Sequence, residues 1–471
     1  MHLIPQSWSH WHILISVFPS IGLVIALGFF IAGFVKRNDL VRRVCLILFG
    51  LLAVLSIPIY FSGSGSMAAL SGTPKFPKDA LNTHYVWAIA ALVVLLITGA
   101  LAWIELWRAW RARRPSGDPF HLVMGLATVS LALTIVAEEL GLKINHRELQ
   151  STISIADIST SQAWSHAHLI LNHIPTSGFV FAIALFMAAL VTNNDVLKRG
   201  SLTLFVIFSI FGIPTYVAGT AAMWALTQPP IPDLEISRAV INAHRDMALW
   251  TLFGLAFTGA AAWIELWRSR YRGHFSKLWL NVVLLFAFVT LAIMAETGHR
   301  GGLINHAEIR LATDILPTDP NLGISTSLET TMKEMIWFAP WQTVHFFGYC
   351  LIFAAAFAVV LRVLGFWKSV SFAAMHQLLL LGFLGVLLNV VSGMLMMLSD
   401  SYRYVVNDIA FAPKIAFIAI GATAVLYFSV SDRLWNVKAG EAAPAAAKWV
   451  AAVVLLAWAG VIVFGRLLPY L

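Results

Sequence analysis

The chain has 471 residues, of which 59% are hydrophobic and only 11% are charged, and its formal net charge is +8. This composition is too apolar for the surface of a soluble globular protein, so it indicates an integral membrane protein. The two cysteines, Cys45 and Cys350, lie within apolar runs, and no C-x-x-C-H motif occurs. Neither a disulfide framework nor covalent haem attachment is therefore expected. The first apolar stretch lacks a basic n-region and a cleavage site, so we interpret it as a retained span.

Twelve apolar runs are long enough to cross roughly 30 Å of hydrocarbon as helices, which predicts an all-α polytopic membrane protein. They lie near residues 12–35, 42–62, 84–107, 121–137, 168–192, 200–222, 244–267, 278–296, 345–366, 371–398, 411–431 and 447–470.

The distribution of Lys and Arg predicts how the chain is oriented. Nineteen of these residues lie on or beside the loops that follow the odd-numbered spans, against twelve on the other side. By the positive-inside rule, those loops are cytoplasmic and both termini are periplasmic in a bacterial inner membrane. The positive net charge thus reflects membrane topology, and no nucleic-acid partner is expected.

An internal repeat organises the first two thirds of the chain. WSHWHILISVFPS, which starts at Trp8, aligns with WSHAHLILNHIPT, which starts at Trp164, at an offset of 156 residues. TGALAWIELWR from Thr98 aligns with TGAAAWIELWR from Thr258 at an offset of 160. Because each copy has an even number of spans, the two copies are expected to be direct repeats with the same orientation.

A third unit begins like the two copies and then diverges. Trp341 precedes His345 by four residues, the same spacing that separates the tryptophan from the inward histidine in each copy. Lys414 stands near the head of the third helix, where the copies have His84 and His244. The predicted division is a four-helix unit at 1–150, its repeat at 151–312, a periplasmic linker at 313–340 and the diverged four-helix unit at 341–471.

Repeated histidines are the candidate functional residues. The topology places them at the periplasmic ends of the first, third and fourth helices of each copy, and an ionisable residue near a span is a candidate for function. They are His10, His12, His84 and His146 in the first copy, and His166, His168, His244 and His306 in the second. His173 and His299 occur only in the second copy.

Helix geometry selects which of these histidines can face each other. At about 100° per residue, His10 and His12 point to nearly opposite helix faces, so we predict that His12 and His168 face inward. In an up-down bundle the first and third helices lie diagonally, so His12 can face His84, and His168 can face His244. Two imidazoles at equal depth suit the axial positions of a b-type haem. Glycines such as Gly63 could leave room for the macrocycle or could simply serve helix packing.

Other interpretations of these residues remain open. A single histidine at a membrane interface commonly serves as an amphipathic anchor, and clustered histidines also suit copper or zinc. Glu105 with Arg108, and Glu265 with Arg268, are expected to be ion pairs that snorkel at the cytoplasmic helix ends.

The second copy resembles a bacterial four-helix membrane family of unknown function, whose members occur alone or fused to Rieske or cytochrome c domains. The resemblance rests on H-L-I-L-N-H-I-P from His168 and on T-G-H-R-G-G-L-I-N-H ending at His306. It implies electron transfer with a b-type haem and nominates four residues: His168, His173, His244 and His306. The first copy departs from the pattern, since Val17 stands in place of His173 and the paired glycines are missing.

The third unit resembles another uncharacterised bacterial four-helix membrane family. The matching segments are H-F-F-G from His345, L-R-V-L-G from Leu361 and N-D-I-A-F-A-P-K ending at Lys414. Because His345 lacks a histidine partner at its depth, we expect no bis-histidine haem here and predict a docking or quinone-facing module.

The sequence therefore predicts a b-type haem subunit that transfers electrons between a membrane quinone and a periplasmic cytochrome or other redox protein. It would be an electron-transfer subunit of a larger complex, without an independent catalytic motif. The alternatives are a non-redox structural or assembly subunit and a transporter of copper or another metal. Further candidate ligands are His10, His166, His299 and His345.

Overall fold

The protein is described here by a computed structural model that covers residues 7–71, 76–112, 120–145, 161–227, 237–306, 317–321, 323–407 and 409–468. These residues form helices joined by turns, without any β-strand among them. Twelve helical segments of this part are long and apolar enough to cross a membrane. The prediction of an all-α polytopic membrane protein is confirmed.

The first copy folds into four spans, the first of which is interrupted. A break at Ser16 and Val17 divides that span. Pro19 lies in the first turn of the second half, where a backbone N–H has no acceptor within the helix, so the N–H that proline lacks is not missed. The helices are α1 (Trp8–Ile15), α2 (Phe18–Val35), α3 (Asp39–Leu70), α4 (Lys78–Ala112) and α5 (Phe120–Asn145).

The second copy repeats this arrangement with four unbroken helices. Pro214 lies inside the second of them at the position that matches Pro58 in α3. The helices are α6 (Ser161–Thr192), α7 (Asp195–Thr227), α8 (Arg238–Arg272) and α9 (Lys277–Asn305).

The third unit also supplies four spans, and a short helix precedes them within the segment predicted as a linker. Asp246 of α8 accepts hydrogen bonds from the backbone N–H groups of Ile324 (3.1 Å) and Ser325 (2.8 Å), which caps that helix. The helices are α10 (Ile324–Met332), α11 (Met335–Leu364), α12 (Phe372–His376), α13 (Leu379–Ser399), α14 (Phe411–Val430), α15 (Asp432–Trp435) and α16 (Ala445–Leu467), with a π-helical turn at Arg403–Asn407.

The connections between the first and second spans of the three units each contain a non-glycine residue with a left-handed backbone. Three non-glycine residues of the described chain have a left-handed backbone, and each follows a first span: Arg37 (φ 51°), Asn193 (φ 48°) and Trp367 (φ 47°). In the two copies the next residue, Asn38 or Asn194, caps the following helix through its side-chain oxygen. The two copies therefore share this turn, whereas in the third unit Trp367 follows a left-handed Gly365 and the next helix begins after Ser371.

The third and fourth helices of each copy are joined by a matching hydroxyl pair. Thr98 of α4 and Ser130 of α5 lie 3.0 Å apart, and Thr258 of α8 and Thr290 of α9 are separated by the same distance. Each pair also lies beside a close helix contact. Such hydrogen bonds between small side chains are a usual way to join helices in lipid.

The described residues divide into two compact units that do not follow the repeats. One comprises Met1–Ser154, His173–Gly200 and Gly298–Ile315, and the other comprises Ile155–Asn172, Ser201–Thr297 and Leu316–Leu471. The second compact unit thus contains α8 of the second copy together with all described residues of the third four-helix unit. Two tryptophans make direct bonds within it, from Trp224 to the Ser401 hydroxyl (3.1 Å) and from Trp263 to the Ser429 hydroxyl (3.0 Å).

A buried histidine extends this connection between α8 and the third unit. The Tyr271 hydroxyl donates to the Ala373 carbonyl (2.8 Å), so its oxygen can accept from His376 Nδ1 at 3.3 Å. The other ring nitrogen of His376, Nε2, lies 3.2 Å from the Ser429 hydroxyl. Both nitrogens are therefore used, and His376, which is fully buried, serves to join α8 to α12 and α14.

The predicted ion pair between Glu265 and Arg268 is present, but the prediction that it snorkels is wrong for the Glu265 carboxylate. Glu265 is 0% exposed, and its carboxylate accepts two hydrogen bonds from Arg268, at 2.6 and 2.9 Å. It also accepts the backbone N–H of Ser276 at 2.6 Å, in the turn before α9. The carboxylate therefore holds the α8–α9 connection rather than reaching toward water.

We expect Glu265→Ala to destabilise the protein by about 3–5 kcal/mol, because it leaves a partly buried guanidinium without its partner. The matched control is Glu105→Ala in the first copy, where the carboxylate is half-buried and a loss of about 0–1 kcal/mol is expected. Unfolding of both variants in mixed micelles measures the difference. Equal destabilisation would contradict the special role of Glu265.

Candidate histidine site

The structure brings two histidine rings together in each copy, one from the first span and one from the third. In the first copy the ring centres of His12 (α1) and His84 (α4) are 6.2 Å apart, with planes at 76°. In the second copy those of His168 (α6) and His244 (α8) are 6.4 Å apart, with planes at 70°. The two copies therefore hold the same pair in the same geometry.

Each ring is oriented by a backbone carbonyl of the neighbouring helix. In the first-span histidines, Nδ1 lies 3.2 Å from the Ile59 carbonyl for His12 and 3.2 Å from the Thr215 carbonyl for His168. Both acceptors directly follow a helix-interior proline, Pro58 in α3 and Pro214 in α7.

The third-span histidines use the same interaction with the fourth helix. His84 Nδ1 lies 2.9 Å from the Ala137 carbonyl of α5, and His244 Nδ1 lies 3.0 Å from the Thr297 carbonyl of α9. A carbonyl oxygen can only accept, so Nδ1 must carry the proton in all four rings. The lone pair of each imidazole is then on Nε2, the arrangement that orients metal-binding histidines.

Glycines lie directly behind these rings. A Cβ at Gly63 would lie 2.9 Å from the His12 ring, and one at Gly219 would lie 2.7 Å from the His168 ring. On the fourth helix of the first copy, a Cβ at Gly141 would lie 3.0 Å from the His84 ring. These glycines make room for the imidazoles themselves.

Other glycines that could have left room for a macrocycle instead pack against neighbouring side chains or backbone. A Cβ at Gly22 would meet Leu52 and Phe181, and one at Gly99 would meet Ala53. The packing interpretation therefore accounts for them.

The copies differ one residue after the third-span histidine. In the first copy the hydroxyls of Tyr85 and Tyr60 share a hydrogen bond of 3.0 Å. In the second copy Arg245 replaces Tyr85 and pairs with Glu329 of α10 at 3.3 Å. The helix turn that carries His244 is thus bonded to the third unit, whereas the turn that carries His84 is bonded to a residue of its own copy.

The remaining candidate histidines occupy several environments. His10 and His299 stack with ring centres 6.1 Å apart and planes at 23°. His166, His173 and His306 are partly buried. His146 lies outside the described residues, and the role in haem binding that the resemblance implies for His173 and His306 stays a prediction.

The third unit contains part of the same arrangement: His345 was expected from its spacing to Trp341, whereas the glycine behind its ring was not. His345 Nδ1 lies 3.0 Å from the Ser392 hydroxyl, and a Cβ at Gly393 would lie 3.1 Å from the ring. The signal was present in the sequence as a G-x-x-x-M motif that begins at Gly63, Gly219 and Gly393. The histidine and the glycine are 51 residues apart in both copies and 48 residues apart in the third unit. A single offset therefore does not align both residues of the third unit with those of the copies.

Lys414 occupies the position of the missing histidine. A Cβ at Gly465 of α16 would lie 3.6 Å from Lys414 Cε, as one at Gly141 of α5 would meet the ring of His84. Lys414 also interacts electrostatically with His345. The third unit therefore combines an imidazole with an ammonium group where the copies have two imidazoles.

The described residues contain no group of three or more His, Cys, Asp or Glu side chains that could hold a metal ion. Zinc and copper sites that need three protein ligands are therefore not formed by this part of the chain. A centre that takes only two axial imidazoles remains compatible with both pairs.

Comparison with models of protein families, with curated proteins and with solved structures gives no match for this chain. Function is therefore argued below from the geometry of the site.

We expect Gly219→Ala to destabilise the protein by about 1–3 kcal/mol, because the new methyl group overlaps the His168 ring. Gly28→Ala is the control, since a Cβ there has no neighbour within 4 Å, and it should be neutral or slightly stabilising. Unfolding midpoints in detergent provide the measurement. If both variants unfold alike, the ring does not pack on Gly219 as described.

Proposed function

We propose that this protein is a b-type haem membrane subunit that exchanges electrons between a quinone or quinol in the bilayer and a periplasmic redox partner. The observation that carries the proposal is the repeated histidine pair with its protons fixed on Nδ1. Two imidazoles whose lone pairs are both on Nε2 cannot bond to each other, because each offers only an acceptor. A metal centre between them would accept both lone pairs.

The size of the gap supports an iron centre with two axial imidazoles. Imidazole–metal bonds are about 2 Å long, and each ring centre lies roughly 1 Å behind its nitrogen, so a linear pair places ring centres roughly 6 Å apart. The separations of 6.2 and 6.4 Å agree with this value. The fit applies equally to both copies.

The residues of the chain have distinct roles in this proposal. His12 with His84, and His168 with His244, would hold one haem each, and the bound haem would supply one-electron transfer within the bilayer. The carbonyls of Ile59, Ala137, Thr215 and Thr297 orient the four rings and keep their protons on Nδ1. Chemistry beyond electron transfer would belong to partner subunits of a larger complex. This complex would lie in the inner membrane, with both termini of this chain in the periplasm.

Two alternative functions use the same residues. A two-coordinate copper site would also fit between two imidazoles, which supports metal transfer as a second candidate. A structural or assembly subunit would use the histidines only for packing. The three functions differ in their optical spectra, since only the first gives reduced-minus-oxidised haem bands.

We expect His168→Ala and His244→Ala each to abolish the low-spin spectrum of one haem per protein while leaving membrane insertion intact, because the low-spin state needs both imidazoles. His274→Ala is the control, since His274 is exposed and its Nδ1 bonds only to the local Arg272 carbonyl in the described structure. Pyridine haemochrome content and the reduced-minus-oxidised spectrum of mildly purified protein are measured. A wild-type protein with no Soret band would refute the haem proposal.

A gain of cofactor tests the same architecture in the third unit. Lys414→His should restore the imidazole pair with His345 and add one haem equivalent to the wild-type content. The double variant His345→Ala with Lys414→His should lose the addition. No gain in a folded Lys414→His protein would show that the third pocket differs from the other two in more than this residue.

A further inference from the structure

The segment 320–332, which includes α10, is bound to the N-terminal part of α8 by residues that lie before and after His244. Two residues before His244, Asn242 Nδ2 donates to the Pro320 carbonyl at 2.7 Å. Two residues after it, Asp246 accepts the first two backbone N–H groups of α10, at 3.1 and 2.8 Å. A carboxylate at the start of a helix also interacts favourably with the helix dipole. The segment is therefore held on either side of His244 along α8.

Arg245 adds an ion pair to these hydrogen bonds. Its Nη1 donates to Glu329 Oε2 at 3.3 Å, and Glu329 lies one turn along α10 from Ser325. Arg245 is 6% exposed and Asn242 is 5% exposed. Because a buried polar group that loses its partner is costly, these contacts are hard to break. α10 is thus bound to α8 at more than its first turn.

Gly323, the residue before α10, allows this close approach. Its φ of 139° lies in a region that residues with a side chain rarely adopt. A Cβ at this position would also overlap the Asp246 carboxylate. Backbone conformation and space therefore both require glycine at the point where the segment meets Asp246.

The N-terminal part of α4 in the first copy carries different residues. At the repeat offset of 160, Tyr85 stands in place of Arg245 and Val86 stands in place of Asp246. Val86 is 63% exposed, and the Tyr85 hydroxyl bonds to Tyr60 of its own copy. A valine offers no acceptor to a helix start. The contact between Asp246 and α10 thus belongs to the second copy and not to the equivalent described residues of the first.

We propose that Arg245 and Asp246 are positioning residues, through which α10 fixes the α8 turn that carries His244. His244 lies on the same turn as both of them, and its Nδ1 bonds to the Thr297 carbonyl at 3.0 Å. α10 also packs against α13, so this turn is held against the third unit. The role of His244 as an axial ligand rests on the proposed function, whereas the contacts of α10 do not.

The contact itself is tested by hydrogen exchange of the full-length protein in nanodiscs. Asp246→Ala should raise the exchange rate of the Ile324 and Ser325 amides about fivefold or more, because it removes both acceptors. Val86→Ala is the matched control, since it changes the equivalent position of the first copy, and it should leave these amides unchanged. Equal exchange in Asp246→Ala and the wild type would overturn the inference.

The position of His244 is measured separately, in a His84→Ala background where low-spin haem can form only at the second pair. Asp246→Ala should shift the g values of the low-spin EPR signal, because these values depend on the angle between the imidazole planes. Arg245→Glu should also shift them, and adding Glu329→Arg should restore them. Faster exchange in α10 with unchanged g values would show that the contacts only stabilise the fold, and it would overturn the inference.

A measurement without any cofactor separates this inference from the haem proposal. Full-length protein from a haem-deficient host is treated with diethyl pyrocarbonate, which modifies accessible neutral imidazoles, and peptide mass spectrometry measures each histidine. Asp246→Ala should increase modification of His244 about threefold or more relative to His84 in the same molecule, because the turn opens more often. A wild type that binds no haem but shows this increase would refute only the haem proposal. An unchanged ratio in such a protein would overturn the inference.

Discussion

The hydrogen bond from each histidine Nδ1 to the neighbouring helix is the interaction on which the candidate site depends. Without it, an imidazole in a helical bundle can adopt either tautomer and several ring orientations. A carbonyl acceptor removes that freedom, because it fixes the proton on one nitrogen and the lone pair on the other. The chain uses this device four times in two copies. Helix packing and orientation of the imidazole are thus achieved by the same contact.

The third unit shows what a change at one position does to such a pocket. The ring, its oriented nitrogen and the glycine behind it are retained at His345 and Gly393. Only the opposite residue differs in kind, since an ammonium replaces an imidazole. An ammonium must lose its proton before it can bind a metal, and this is costly in an apolar environment. The exchange therefore places a hydrogen-bond donor where each copy has a second imidazole.

The sequence predicted the parts of the structure that follow from periodicity and from the repeat. Twelve spans follow from hydropathy, and the meeting of His12 with His84 follows from the diagonal placement of helices in a bundle. The carbonyl acceptors could not be predicted, because every residue of a helix has a carbonyl and the packing of the neighbouring helix decides which one each imidazole reaches. Burial of Glu265 also escaped prediction, since it depends on how the α8–α9 turn folds back onto the carboxylate.

The second copy and the third unit share polar contacts that sequence patterns do not reveal. In the described chain, Trp263 and Tyr271 of α8 reach Ser429 and His376, and Arg270 donates to the Ser429 and Val430 carbonyls at 3.0 and 2.6 Å. Buried polar groups are costly when a partner is removed.

Arg245, the residue after His244, forms another such polar contact. It pairs with Glu329 at 3.3 Å, and both side chains are largely buried. A shift of α10 would therefore act on the helix turn that carries His244, whereas the corresponding Tyr85 of the first copy bonds to Tyr60 of its own unit. The two histidine pairs have the same local geometry but different surroundings. Any functional difference between the copies is thus expected to arise from the third unit rather than from the histidines themselves.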